Sequence, residues 1–418
     1  MTSENHRQQI SWALIPAKYI FSILNGSTPS SSEPLYWDGD IYWATPEDIG
    51  SLNGKILLDT RRKITEIGYD NTGTRLAPIG SIILTTRAPV GNLAIAGVSL
   101  CTNQGCKTLA PRSDSVNTTY FYYQLLARKE DLSALSTGTT FQELSTSALD
   151  SFELWFPPLA TQRAIAAYLD RETAKIDAMI DAKTRLLRLL AEKRRALITH
   201  AVTRGLDPTA PLRDSGVAWI GPVPAHWDVE FARWLFTLID VRSSTGKEDL
   251  LSVSHLTGVT LRSEKDVNMF MAESLEGYKI CQPGDLVINT LWAWMGAMGI
   301  ASQVGLISPD YHVYRPSSLY DARYLDFLVR MPIFATEVTR YSKGVWSSRL
   351  RLYPEEFFEI GLPIPPLTEQ VAIIEYLQRE IENTDTLGAS TQKSIELLHE
   401  RRAALIAAAV TGQLEVAE

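Results

Sequence analysis

Arginine and lysine clusters flanked by glycine, serine, threonine and glutamine are the residues here best suited to chemistry, and that chemistry is recognition of a polyanion. Arg61, Arg62, Lys63, Arg87 and Lys107 form such clusters in the first part of the chain, and Arg340, Lys343, Arg349 and Arg351 in the second. Phosphate contacts need positive charge and small donors, whereas base edges need forked donors and acceptors. Thr139, Thr140 and Gln142 in TGTTFQELSTS, and Asn289 in VINTLWAWMG, supply such groups. Trp292, Trp294 and Trp346 add aromatic surface that could stack on bases, although tryptophan more often packs in a core or an interface. His312 in SPDYHVY is the histidine worth testing, with a satisfied structural role as its plain alternative. A lone basic loop is more often solvated surface, so the clusters gain weight only from the organisation around them.

Bond-making chemistry finds little support. The sequence holds no phosphate-binding GxxxxGK[ST] loop, no HExxH zinc motif, no GxSxG elbow, no glycine-rich fingerprint for a methyl donor and no Asn-Pro-Pro-aromatic tetrapeptide. Cys101, Cys106 and Cys281 lack metal-site spacing and are too few for a disulfide framework. No catalytic residue and no metal site is therefore assigned. The polar start Met1–Ile10 lacks the apolar run of a signal peptide, which points to the cytoplasm. Leu286–Pro309 is uncharged, but its glycines and amides suit short buried strands better than a membrane span, so no membrane partner is expected.

The elements that must position the basic clusters come from a duplication. Pro157–Asp207 begins PPLATQRAIAAYLDRE and Pro365–Glu415 begins PPLTEQVAIIEYLQRE, and the two align without a gap. Roughly 22 of about 51 positions are identical, far above chance. Ile165, Leu169, Ile176, Ile180, Leu187, Leu190 and Leu197 in the first copy, with Ile373, Leu377, Ile395, Leu398 and Leu405 in the second, step by threes, fours and sevens. That spacing keeps one apolar seam on a long helix and is a coiled-coil signal. Gly388 and its polar neighbours predict a bend or fraying in the middle of the second helix. The first repeat carries about +4 and the second about −5, so the helices could pair antiparallel through opposite charge. Arg185, Arg188, Lys193, Arg194 and Arg195 would then face Glu369, Glu375, Glu380 and Glu382. Charge reversal at Arg188 and Lys193 is expected to weaken that pairing.

Each repeat follows a region of β-rich runs and turns, which gives segments 1–156, 157–207, 208–364 and 365–418. Gly80–Ile95 reads as strand, loop and strand with Arg87 at the tip, and Gly284–Gly296 holds the equivalent place. The fold class is α+β: two homologous mixed globular domains separated by two long helices in an antiparallel coiled coil, with a pseudo-two-fold internal duplication. With 418 residues and 45% hydrophobic content the chain can bury two real cores. A net charge of −8 gives no global pull toward nucleic acid, so any such binding must be local.

Two PPLxxQ–long-helix–RRxALIxxxVTxxL repeats, each behind a diverged domain, resemble the specificity subunit of type I restriction-modification systems. PAHWDV (Pro224–Val229), TTRAPVGNLAIA with NQGCK, and NTLWAWMGAMG with SPDYHVY extend the resemblance over nearly the whole chain. It implies a non-catalytic subunit with two target recognition domains, each reading one half of a split, asymmetric site on double-stranded DNA. It further implies that the helices set half-site spacing and dock methyltransferase subunits bringing S-adenosylmethionine. A restriction motor-nuclease subunit using ATP and magnesium would join through them, and this chain would hold no cofactor. Two other classes stay open at this point: a coiled-coil scaffold with two protein-binding modules, and a nuclease or methyltransferase with an unrecognised site.

Overall fold

The computed structural model describes residues 12–87, 89–136, 143–265, 274–344 and 350–416. They gather into two compact units, one of Met1–Lys183 with Lys393–Glu418 and one of Thr184–Gln392. The first long helix is Leu159–Arg204 and the second Leu367–Val410, so each helix contributes one half to each unit.

In the first unit a five-stranded sheet has the order Phe21–Asn25, Cys106–Pro111, Ile82–Thr85, Leu93–Ala96, Ile56–Leu57, antiparallel except for its last pair. Alternation explains why Ile82–Thr85 is buried along its whole length. Ile82 and Leu84 enter the core shared with the long helices, while Ile83 enters a second core with Leu57, Ala94 and Leu100. A three-stranded sheet, Arg62–Ile64, Trp37–Ala44 and Leu100–Thr102, lies beside it in sequence and pairing.

The second unit repeats this plan with a four-stranded antiparallel sheet ordered Phe236–Ile239, His312–Pro316, Leu286–Ile288, Met298–Ile300. Leu286 and Ile288 face the core that includes the long helices, and Val287 faces the opposite one. Entry into both domains is the same. Ala13–Pro16 pairs antiparallel with Glu153–Phe156, and Asp228–Phe231 pairs with Gly361–Ile364, each followed by a four-residue helix.

What ties each domain to the long helices is a buried amide. The Gln162 side chain accepts from the Asn117 N–H at 2.8 Å and donates to the carbonyls of Ser115 and Pro157. Gln370 accepts from the Asp321 N–H at 2.8 Å and donates to Leu319 and Pro365. Asn117 and Asp321 each cap a short helix, Thr118–Ala127 and Ala322–Val329. From the first turns of those helices, Tyr120 donates its hydroxyl to the Val410 carbonyl at 3.3 Å and Tyr324 to the Val202 carbonyl at 2.8 Å. Each short helix is thus pinned between the start of one long helix and the end of the other.

Within each unit the two long-helix halves run antiparallel. Arg402 meets Asp177 at 2.8 Å in the first unit, and Arg194 meets Asp385 at 2.5 Å in the second. These are equivalent positions of the two repeats, so each helix supplies one acid and one base to the pairing. Opposite net charge is therefore not what pairs the helices. Arg188 turns to Glu192 of its own helix, and Glu369 is held by His226 and Trp227. The expected fraying at Gly388 is absent: helix is continuous from Leu367 to Val410, with Gly388 beside Leu187 of the other long helix.

Ile165, Leu169, Ile176, Ile373, Leu377 and Ile395 are buried, whereas Ile180, Leu187, Leu190, Leu197, Leu398 and Leu405 are half-buried. A two-helix seam shields one side only, and full burial comes where a domain adds cover. Among the described residues no helix is long and apolar enough to cross a membrane, and Leu286–Pro309 forms short strands. Replacing Gln162 or Gln370 with alanine strands a buried N–H, which should cost on the order of 2 kcal/mol. Hydrogen exchange should locate the lost protection in Thr118–Ala127 for the first and Ala322–Val329 for the second; unchanged protection would refute the clamp.

Candidate nucleic-acid interface

The strand-loop-strand segments of the two domains superimpose in hydrogen bonding. Gly80 donates to Ala96 and Gly284 to Ala301, Thr85 donates to Asn92 and Asn289 to Ala297. Gly91 and Gly296 close the loops with φ of 87° and 86°, where a side chain would be strained. Thr86 accepts from Leu144, and Thr290 accepts from Leu352, so in each domain the loop is joined to the segment leading into the last strand. The frame is common and the loop contents differ.

In the first unit the loop carries Arg87, which bonds Glu143 at 3.1 Å and stays half-exposed. Lys107, from the neighbouring strand, is 7% exposed and donates to Asn25 at 2.9 Å, and Thr146 donates to the same Asn25 oxygen. Burial pushes the Lys107 ammonium below its usual pKa, with Glu143 opposing that shift and Arg87 adding to it. Lys107 therefore holds the loop base and is not an open phosphate contact. The Thr86 hydroxyl is buried without a hydrogen-bond partner among the described residues. Arg62 and Lys63 belong to the other sheet, and Arg61 directly precedes their strand. Arg61 pairs with Glu47 and Asp48, the Arg62 guanidinium stacks 3.4 Å above Trp37, and Lys63 lies 4.3 Å above Tyr42 and near Asp59. Three neighbouring cations in sequence are thus spread over rings and carboxylates.

In the second unit Asn289 donates to Tyr311 at 2.9 Å, and its side-chain oxygen is buried without a partner among the described residues. Thr290 donates to the Asp310 carbonyl at 2.8 Å. Trp292 is 51% exposed, its ring nearly parallel to that of Trp294, whose indole N–H donates to Leu291 at 3.0 Å. Thr339 donates to the Trp294 carbonyl at 3.1 Å. Lys343 and Arg351 exchange both backbone hydrogen bonds at 2.9 Å, and Lys343 forms an ion pair with Glu356 that raises its pKa. His312 pairs opposite Ile288 in the sheet, and its Nδ1 is buried without a partner among the described residues.

The structure brings Arg87 together with Lys107, and Asn289 with the Trp292 loop and the Lys343–Arg351 ladder. It separates Arg61–Lys63 from Arg87 by placing them in different sheets. Thr139, Thr140, Gln142, Trp346 and Arg349 lie outside the described residues. Sequence reasoning missed Asn25, whose only signal was an amide at a strand end, and Thr28 bonded to Gln104. A Cβ on Gly26 would lie 1.9 Å from the Asn103 carbonyl, so glycine there lets the Gly26–Thr28 segment close on the Asn103–Gly105 turn. All three cysteines are buried, and burial raises the thiols of Cys101 and Cys281 to about 11.

Comparison with known proteins gives a consistent set. A family model described as the type I restriction modification DNA specificity domain matches residues 10–187. The type I restriction enzyme MjaIX specificity subunit of Methanocaldococcus jannaschii is 27% identical over 431 aligned positions, covering 97% of this chain and 94% of that protein. The EcoBI specificity subunit of Escherichia coli is 22% identical, covering 75% of this chain and 69% of that one. Among solved structures, a chain of a type I restriction-modification system has a TM-score of 0.65 at 15% identity, covering 97% of this chain and 99% of its own. The HsdS subunit of Thermoanaerobacter tengcongensis has a TM-score of 0.57 at 15% identity, covering 99% and 100%. At that identity the two structures speak for the fold.

Burial, aided by Lys279, pushes the His312 imidazole below its ordinary 6.5, while Glu355 and Asp240 oppose the shift. The folded unit keeps it neutral and the unfolded chain takes up a proton, so this contribution to stability is present above pH 6.5 and is lost as pH falls below it. His312→Gln should therefore flatten the acid side of the stability profile, read from urea midpoints at about pH 7.5 and about 5.5. An unchanged profile would refute the buried neutral assignment.

Proposed function

We propose that this chain is a specificity subunit of a type I restriction-modification system and that each of its units reads one half of a bipartite, asymmetric site on double-stranded DNA. The observation that carries this reading is a repeated frame with unequal tips. Arg87 in the first loop and Trp292 in the second occupy loops closed by the same hydrogen bonds. A duplicated frame with different contents suits two readers of different half-sites, since each good bidentate contact discriminates by about 1–3 kcal/mol.

The subunit itself is non-catalytic in this reading. The methylation chemistry would be supplied by methyltransferase subunits carrying S-adenosylmethionine and docked on the long helices, and cleavage by a motor-nuclease subunit using ATP and magnesium. The acidic chain would then depend on its partners for much of the phosphate contact. The long helices would set the half-site spacing, because helix length is fixed at about 1.5 Å per residue.

Adenine-methylation mapping by long-read sequencing tests the assignment, comparing cells with this chain and its methyltransferase against cells lacking only this chain. A bipartite motif that disappears with the chain is expected; no chain-dependent motif would overturn the reading. Inserting one helical turn, about 6 Å, at equivalent points of both long helices should change the spacing and leave both half-sites intact. Altered half-sites would reject the helices as the spacing element.

A further inference from the structure

Resting on that DNA-reading assignment, we infer that Trp292 unstacks a base step in the second half-site, so that the two half-sites are bound by mechanically different devices. Three observations carry it. Trp292 is 51% exposed and Met295 of the same loop 37%, which leaves an apolar tip on a surface segment. That tip is held in place: Trp292 donates its N–H to Asn289 and accepts from Met295 and Ala297, Gly296 closes the loop, and Trp294 is fixed by Leu291 and Thr339. A loop backbone already fixed in position loses little freedom when its tip inserts. Through Thr290 and Leu352 the loop adjoins the Lys343–Arg351 ladder, where Arg351 is exposed and Lys343 pairs with Glu356. Segments joined in this way, one with an exposed ring and one with an exposed guanidinium, offer a base face and a phosphate their respective partners.

The comparison between units favours DNA over a protein as the occupant. Tyr19 and Trp234 occupy the same place in the two domains, and both are largely exposed, at 67% and 72%. A surface serving a partner common to both halves has that symmetry. Trp292 has none. The equivalent loop of the first unit is one residue shorter between Thr85 and Gly91 and carries Arg87 bound to Glu143. A feature confined to one unit belongs with whatever differs between the units, and in the proposed reading that is the half-site. Apolar side chains that enter a base step partly unstack it and kink the duplex.

The test uses the complex of this chain with its methyltransferase subunits and duplexes carrying the mapped target, with 2-aminopurine placed in turn through both half-sites. Apart from the adenines to be methylated, which a methyltransferase takes out of the stack in either half-site, fluorescence should rise at one step of the second half-site and nowhere in the first. Trp292→Ala should abolish that rise and weaken specific binding about tenfold, in the range of one lost base-aromatic stack, while Trp292→Phe retains most of both. Subunit assembly should not change with either variant. Specific binding without a fluorescence rise in the second half-site, or an alanine variant that binds and fluoresces like the parent, would overturn the inference and leave the DNA-reading assignment standing. Loss of assembly in the alanine variant would also overturn it, assigning Trp292 to a protein contact. A complex without sequence-specific binding would remove the DNA-reading assignment and this inference with it.

Discussion

The buried amides of Gln162 and Gln370 are the constraint on which the rest of the molecule depends. Each closes the N-terminus of a short helix whose tyrosine then donates to a carbonyl in the last turn of the opposite long helix. A helix end buried without such partners would leave orphan groups worth about 1–3 kcal/mol each. Because the start of one long helix and the end of the other are held by the same short helix, parallel pairing is excluded within each unit. The ion pairs Arg402–Asp177 and Arg194–Asp385 then fall into place as equivalent contacts of the repeats. Half-exposed as they are, they select register more than they stabilise.

Duplication separates what is held constant from what varies. The entry strands, the closing glycines and the joint between loop and final segment are common to both units. The loop contents are among what varies: one unit presents a guanidinium tied to a carboxylate and the other an aromatic pair. A rigid frame tolerates such exchange because the loop side chains carry little of the core. Ile82, Leu84, Leu286 and Ile288 beneath the loops are buried and supply the support.

Charge follows the same division. The chain is acidic overall, and the cations at the candidate interface are mostly engaged: Arg87 with Glu143, Lys107 with Asn25, Lys343 with Glu356. In the proposed reading, such pairing at Arg87 and Lys343 would lower the affinity for a bare polyanion and make release of an internal partner part of binding. It also keeps basic loops in one geometry before contact, which favours discrimination over general attraction.

By itself the sequence determined the duplication, the two long helices and their seam, because identical residues at identical spacing and a 3.6-residue apolar period need no tertiary information. It also placed Arg87 and the Trp292 loop at strand-to-strand connections, since glycine and β-rich runs mark those locally. The partners were decided only in three dimensions. Arg61–Lys63 looks like a phosphate-binding cluster until strand pairing sets Arg62 on Trp37 and Lys63 on Tyr42. Lys107 looks exposed until Asn25, 82 residues away, closes over it. Gln162 stands plainly in the PPLxxQ motif, yet its role depends on an N–H 45 residues earlier. Local spacing fixes which way a side chain leaves the backbone, but what it meets depends on contacts between segments far apart in the chain, and those exist only once the fold has formed.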